Sequence, residues 1–362
     1  MKLPDFKVEQ WMNVYENDAV YNLTDTCVKP LTFRELAAMD QADSFMDLKL
    51  DYGTITGDAD LKKEILSLYQ SGKPDEITLM QGCLQANEAL IYTLLSPGDN
   101  VIVYEPGYQQ FCDLPRSIGA NVTVLKLYEE NGWQPDIREL EEAMKQNIRL
   151  IIVNKPANPT GVLFEKQYRD RLIELASEQN AYILSDEVYR GLYNEPSFSD
   201  LYEKGISTSS LSKIFSLAGL RLGWIKGPQE VIDLINVRRD YSIISTGPLA
   251  DTLACIALKN KETILNRSRR IIEENRKIIK DFLASHPRFH MVVPQSGTVG
   301  FLGYEADIDD TMLAKQLLKE EGVFFVPGSC FNAPKHLRLG FTCESETMKT
   351  GLEKLNRFME KI

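Results

Sequence analysis

The feature that most constrains this chain is a series of short, almost wholly apolar segments separated by amphipathic stretches, from Ile77 to Ile225. Ile77-Thr78-Leu79-Met80, Val101-Ile102-Val103-Tyr104, Val122-Thr123-Val124-Leu125, Leu150-Ile151-Ile152-Val153 and Ala181-Tyr182-Ile183-Leu184 are too short for helices. They also lack the polar alternation of a strand with one wet face. Between them, 83–95, 137–146 and 166–178 read as helices. This alternation predicts a mostly parallel sheet covered by helices on both faces, an α/β architecture. Gly205-Ile206-Ser207-Thr208 and Gly223-Trp224-Ile225 add strands, 60–70 a helix, and 248–284 a long helical stretch. Beyond His286 the order becomes α+β, with strands expected at 289–293, 299–304, 323–326 and 337–341 and a helix at 312–320. That change of texture predicts a second, smaller domain. Residues 1–40 show no clear period, and Trp11, Tyr15 and Tyr21 are read as anchors that pack this segment on a larger body.

A chain of 362 residues with 43% hydrophobic content can bury a large core. Its formal charge of -11 argues against general affinity for nucleic acid, which needs surplus Lys and Arg. No apolar run approaches the roughly 18–20 residues of a bilayer span, and no apolar stretch follows the first residues, so neither a membrane segment nor a secretory leader is expected. The six cysteines lie far apart without a C-x-x-C pair and read as free thiols of a reducing cytoplasm. His286 and His290 have the spacing of a helical metal pair, but Pro287 breaks that helix, and no metal is expected.

Loops that follow the carboxyl ends of parallel strands are where open α/β sheets bind ligands. Lys213 lies in Ser209-Ser210-Leu211-Ser212-Lys213, ahead of Ala218-Gly219-Leu220-Arg221-Leu222-Gly223. Alone it reads as a solvated surface lysine, as most lysines are. Partly desolvated and near Arg221, its amine would instead have a lowered pKa and act as a nucleophile toward an aldehyde. Ser210 and Arg221 suit a dianionic phosphate, the arginine through its planar fork. Asp186 is either a helix cap or a carboxylate that holds a proton on a pyridine nitrogen. Tyr189 is either a packed phenol or a donor to a ring oxygen. Asn158, in Asn154-Lys155-Pro156-Ala157-Asn158-Pro159-Thr160-Gly161, is a turn residue or a second donor to that oxygen. Gly82 opens a helix whose first amides, those of Cys83 and Leu84, would face a phosphate. Tyr108 can stack on an aromatic ring.

Taken in order, Gly82, Tyr108, Asn158-Pro159-Thr160-Gly161, Asp186-Glu187-Val188-Tyr189, Ser210-Leu211-Ser212-Lys213, Arg221-Leu222-Gly223 and Arg338 resemble the class I/II aminotransferases of pyridoxal-phosphate fold type I. The resemblance covers about residues 45–345. It implies a mostly parallel seven-stranded sheet sandwiched by helices, plus a smaller α+β domain. The expected division is 43–250 for the large domain, and 1–42 with 251–362 for the small one. It implies pyridoxal 5'-phosphate as cofactor, with Lys213 as Schiff-base lysine and proton carrier and Asp186 as partner of the ring nitrogen. Asn158 and Tyr189 match contacts to the ring hydroxyl, and Tyr108 the stacking aromatic. Ser210, Arg221, Gly82 and the amides of Cys83 and Leu84 match the phosphate cup. Arg338, with Asn158, matches the site for the substrate α-carboxylate. Tyr52, in Asp51-Tyr52-Gly53, resembles the tyrosine that reaches the phosphate of a neighbouring subunit, which implies a homodimer.

Two stretches depart from the family's pattern. Cys83 and Leu84 stand where many relatives carry a small or hydroxyl residue. Asn22-Leu23-Thr24-Asp25-Thr26-Cys27-Val28 lacks the usual apolar-glycine turn, and resembles instead the N-terminus of capreomycidine-synthase-like members, which perform elimination and cyclisation on an arginine derivative. The resemblance therefore implies amino-group transfer between an amino acid and a 2-oxo acid, with a lyase or cyclase reaction as the alternative. A non-catalytic ligand sensor fits less well, because Lys213 and Asp186 are both present and the chain is acidic.

Overall fold

The computed structural model describes residues 3–40 and 45–362. Seven strands form one sheet in the order Ile77–Met80, Gly223–Lys226, Gly205–Ser210, Tyr182–Asp186, Ile148–Asn154, Asn100–Glu105, Asn121–Lys126. Gly223–Lys226 runs antiparallel to both its neighbours, and the remaining pairs are parallel. In strands Ile148–Asn154 and Tyr182–Asp186 the runs Leu150 to Val153 and Tyr182 to Leu184 are wholly apolar because both faces of the sheet are covered. Leu150 and Ile152 pack with Leu90 of helix Cys83–Leu94 and Ile235 of helix Gln229–Arg239. Ile151 and Val153 point the other way, onto Leu140 of helix Ile137–Ala143 and Leu172 of helix Lys166–Glu178. Each such fully buried aliphatic side chain contributes about 1.5–3 kcal/mol, so an unpartnered polar residue at these positions would destabilise the fold.

The C-terminal sheet is antiparallel, in the order Val326–Pro327, His336–Gly340, Val299–Tyr304, Phe289–His290. The N-terminal segment is built onto it. Tyr21–Asn22 pairs in parallel with Val323–Phe324. Helix Lys7–Tyr15 lays buried Trp11 against the same core, and the indole Nε1 donates to Phe325 O at 2.9 Å.

The structure differs from the sequence reading at several points. The stretch 248–284 is two helices, Pro248–Lys259 and Lys261–Ser285, which part at Asn260. The strand expected over 289–293 is limited to Phe289–His290. Position 42/43, where a domain boundary was expected, lies outside the described residues. Position 250/251 falls inside helix Pro248–Lys259, whose Leu253, Ala254 and Ala257 pack with Trp224 and Leu217. The apolar contacts change hands further on, along Lys261–Ser285, between Leu265 and Ile272.

Register fixes the rim where the chemistry-bearing side chains gather. Asn154 pairs with Asp186, and Asp186 with Thr208, so these three residues lie side by side on parallel strands. The reversed strand begins on that rim, with Gly223 paired to both Met80 and Ser210. A Cβ at Gly223 would lie 2.6 Å from Gly82 C and 2.8 Å from Cys83 N. Only glycine there lets the turn before helix Cys83–Leu94 sit against the turn before Gly223.

Candidate active site

A cavity of about 410 Å³ opens on this rim. Asp186 lies at its base, 6% exposed. Asn87 Nδ2 donates to its Oδ2 at 2.8 Å, and the Val188 amide to its Oδ1 at 3.2 Å. Asn87 is itself oriented by Thr208, whose hydroxyl donates to Asn87 Oδ1 at 2.6 Å. Burial raises the Asp186 pKa above the ordinary carboxylate value, against the Asn87, Val188 and Cys83 bonds and the Lys213 charge, which lower it. A cation placed on the free face of this carboxyl would restore its ionised form. Asn87 was not singled out in the sequence. Its only signal there is an asparagine one turn inside a helix that is otherwise apolar on its inner face.

Beside Asp186, the Asn154 side chain donates to Asp186 O at 3.1 Å and accepts from the Asn158 amide at 2.8 Å. This ties the turn 154–161 to the strand end. Asn158 is buried, lines the cavity, and keeps its Oδ1 without a partner. Tyr189 is buried on the same side, and burial raises its phenol pKa, so the hydroxyl keeps its proton.

Across the cavity, helix Cys83–Leu94 starts at Gly82, at φ +83°, with no side chain capping its first turn. The Arg221 guanidinium stands close by: a Cβ at Gly82 would lie 2.8 Å from Arg221 Nη2. Arg221 is held in a left-handed conformation at φ 53°, and its Nη1 donates to Ala218 O at 3.1 Å. Ser210, Cys83 and Leu84 line the same end. An uncapped helix start, a guanidinium and a buried hydroxyl are groups able to bind an anion.

Lys213 is partly buried, and its Nζ donates to Thr26 Oγ1 at 2.7 Å, with Cys27 Sγ at 3.7 Å. The lowered pKa expected for this amine is corrected by the structure. Burial is the largest influence and does lower it, but Cys27, Tyr189 and Asp25 together carry it above the ordinary lysine value, against Arg338. Two of those neighbours come from the N-terminal segment, which the sequence reading did not bring to the amine.

Arg338, in strand His336–Gly340, is 4% exposed and faces the cavity. Its Nε donates to Thr24 Oγ1 at 3.1 Å, and its guanidinium carbon sits 5.6 Å over the Phe331 ring. Burial lowers its pKa, opposed by Tyr189, Asp25 and Glu9. Tyr108 lines the opposite side; its hydroxyl donates to Glu9 Oε1 at 2.9 Å and its ring packs 4.9 Å from Phe6. Glu9, Asp25, Thr26 and Cys27 thus form a wall that the sequence reading missed. Tyr52 is 66% exposed and does not line the cavity of its own chain. His286 stacks on Phe282 and His290 bonds Glu129, each away from the cavity lining.

The family model for aminotransferase class I and II matches residues 21–355. The chain is similar in structure to a PLP-dependent aminotransferase from Streptococcus suis 89-1591, with a TM-score of 0.95 and 40% identity, over 100% of this chain and 99% of that one. It is 29% identical to capreomycidine synthase of Streptomyces vinaceus, over 97% of this chain and 92% of that protein. It is 26% identical to an aspartate aminotransferase of Thermotoga maritima, over 79% of this chain and 76% of that protein.

Proposed function

This chain belongs to the class I and II aminotransferase family, and from that premise we propose that it transfers an amino group between an amino acid and a 2-oxo acid. Its cofactor is pyridoxal 5'-phosphate. When bound, the cofactor supplies an aldehyde that takes up the amino group and a cationic ring that accepts the electrons released at Cα.

The cavity fits this group. Asn158 has a buried amide oxygen free of partners, which suits a ring hydroxyl beside the Tyr189 phenol. The uncapped amides of Cys83 and Leu84, with Ser210 and Arg221, suit its phosphate. Asp186, with its pKa raised by burial, gains from a protonated ring nitrogen and would keep that proton in place. Tyr108 would flank the ring. Arg338 offers its planar fork to the α-carboxylate, with Asn158 beside it. Lys213 would hold the cofactor and then carry the proton between Cα and the cofactor's C4'.

A homodimer is part of this reading, with Tyr52 reaching the site of a second copy. Leu50, Tyr52 and Leu249 are exposed, and Gly53 lies against Pro248, which brings the Tyr52 stretch beside the start of helix Pro248–Lys259. A cytoplasmic location is supported by six unpaired cysteines. No helix among the described residues is long and apolar enough to cross a membrane.

The observation that carries the proposal is that Lys213, Asp186 and Arg338, far apart in sequence, face one cavity. The lyase or cyclase alternative is favoured by one observation, the likeness to capreomycidine synthase that extends through the N-terminal wall. The two are separated by giving the cofactor-loaded protein a single amino acid and no acceptor. A transferase releases 2-oxo acid once, in proportion to the protein, and turns over only when a second 2-oxo acid is added. Continuous release of ammonia, or a cyclic product, without an acceptor would overturn the proposal.

A further inference from the structure

The segment 23–28 bonds to both of the groups on which the proposed function rests. Thr26 Oγ1 accepts from Lys213 Nζ at 2.7 Å, and Thr24 Oγ1 accepts from Arg338 Nε at 3.1 Å. The two hydroxyls sit two residues apart on one short run of chain. We propose that Thr24 and Thr26 are a paired positioning element, in which Thr26 aims the Lys213 amine and Thr24 aims the Arg338 guanidinium, so that one segment sets the spacing between the group that moves the proton and the group that grips the carboxylate. This rests on the roles given to Lys213 and Arg338 above.

The segment is fixed well enough to act as a gauge. Both threonines are buried. At one end the Gly340 amide donates to Leu23 O at 2.8 Å, and at the other the Val28 amide donates to Lys213 O at 3.1 Å. Between them, Thr298 Oγ1 donates to Thr26 O and Thr342 Oγ1 to Asp25 O. A Cβ at Gly340 would overlap the Asp25 carbonyl, so the strand that carries Arg338 passes directly against the segment. The Val326 amide also donates to Thr24 Oγ1, at 3.3 Å, which holds that hydroxyl from a second side.

Such a gauge matters because a lysine side chain has many rotamers and loses them only against a fixed partner. The other charged or titratable groups around the amine are Cys27, Tyr189, Asp25, Arg338, Asp186 and Cys83. Among the described residues, Thr26 and Cys27 are its only side-chain hydrogen-bond partners, and the Thr26 contact is much the shorter.

The test uses Thr26→Val, Thr26→Ser and Thr24→Val in the full chain. Valine preserves the packing and removes the hydroxyl; serine restores the hydroxyl. Two readouts are taken: the pH midpoint for capture of pyridoxal phosphate by cofactor-free protein, followed by its visible absorbance, and the kcat and KM of loaded protein. The donor is L-alanine, L-glutamate or L-arginine, whichever the parent turns over fastest. Thr26→Val is expected to move the capture midpoint down by about half a unit or more and to lower kcat about tenfold, with KM within about twofold. Thr26→Ser is expected to recover both. Thr24→Val is expected to raise KM about tenfold while kcat stays within about twofold. Should Thr26→Val not fold, Thr26→Ala is read in the same way. A parent-like midpoint and kcat without the Thr26 hydroxyl, or no recovery with serine, overturns the pairing and leaves the aminotransferase reading standing. A parent that never captures the cofactor overturns both.

Discussion

The two walls of the cavity hold their side chains by different means. On the sheet rim, Asn154, Asp186 and Thr208 are placed by one continuous register, so their positions follow from backbone ladders buried between helices. On the N-terminal wall, the segment 23–28 lies in no ladder and is held by single hydrogen bonds to Gly340, Thr298, Thr342 and Lys213. The rim is therefore a consequence of the fold, whereas the opposite wall is attached to it. A rim residue should govern whether any chemistry occurs, and the attached wall should tune how fast it runs and how well a given substrate is handled.

The largest expected effect is on the rim. Lys213→Ala should abolish both the visible cofactor adduct and turnover, and sustained turnover in this variant would remove the central assignment. Next, Asp186→Ala should slow the proton-transfer step by about two orders of magnitude or more while cofactor binding weakens. A near-normal single-turnover rate would break the claim that the rim controls chemistry. Arg338 stands between the two walls, on a C-terminal strand but steadied by Thr24. Arg338→Ala is expected to reduce affinity for amino acids about tenfold or more with cofactor content unchanged, since a charged hydrogen-bond donor is lost. Equal apparent Kd in variant and parent would show that another group receives the carboxylate.

The smallest effect is at the joint behind Arg338. Glu129 accepts from His336 Nε2 at 2.9 Å and also contacts His290 Nδ1, and His336 precedes Arg338 on the same strand. Burial is the largest single influence on the Glu129 carboxyl and raises its pKa, but the two histidines together bring it below the ordinary value. A depressed folded-state pKa means stability that is present above about pH 4.5 and lost as pH falls through the folded value. Glu129→Gln is thus expected to lower Tm by about 2 °C near neutrality, with the difference vanishing toward pH 3. A constant Tm difference across that range would show that the loss is one of packing and not of charge.

The same contrast explains what could be seen in the sequence. A buried parallel strand announces its own end, because the apolar run stops, and the first polar residue after it lies on the rim. Asp186 and Asn158 are accessible in the sequence for that reason, and Ser210 and Lys213 through the run of small hydroxyl residues ahead of Arg221; the structure gathers all four in one cavity. The N-terminal wall offered no such cue. Thr26 meets Lys213 across 187 residues of sequence and Thr24 meets Arg338 across 314, and neither threonine lies in a periodic segment. The direction of the Lys213 pKa was misjudged for the same cause, since Asp25 and Cys27 reach it only through tertiary folding. Asn87 was hidden differently, inside a helix whose apolar period marks its face as plain core. The break at Asn260 was also unreadable, because apolar residues on both sides of it pack into one continuous cluster.

One reversal in the sheet has a wider effect on how the cofactor end of the cavity is assembled. Because Gly223–Lys226 descends beside Gly205–Ser210, the chain between them leaves and re-enters the sheet at the same place. A strand of the other polarity would have required the chain to travel back to the opposite rim of the sheet before starting again. Arg221, sitting just ahead of that strand, would then lie at the opposite rim of the sheet, out of reach of Lys213. Doubling back is what allows one loop, residues 211–222, to carry an amine and a guanidinium on the same rim.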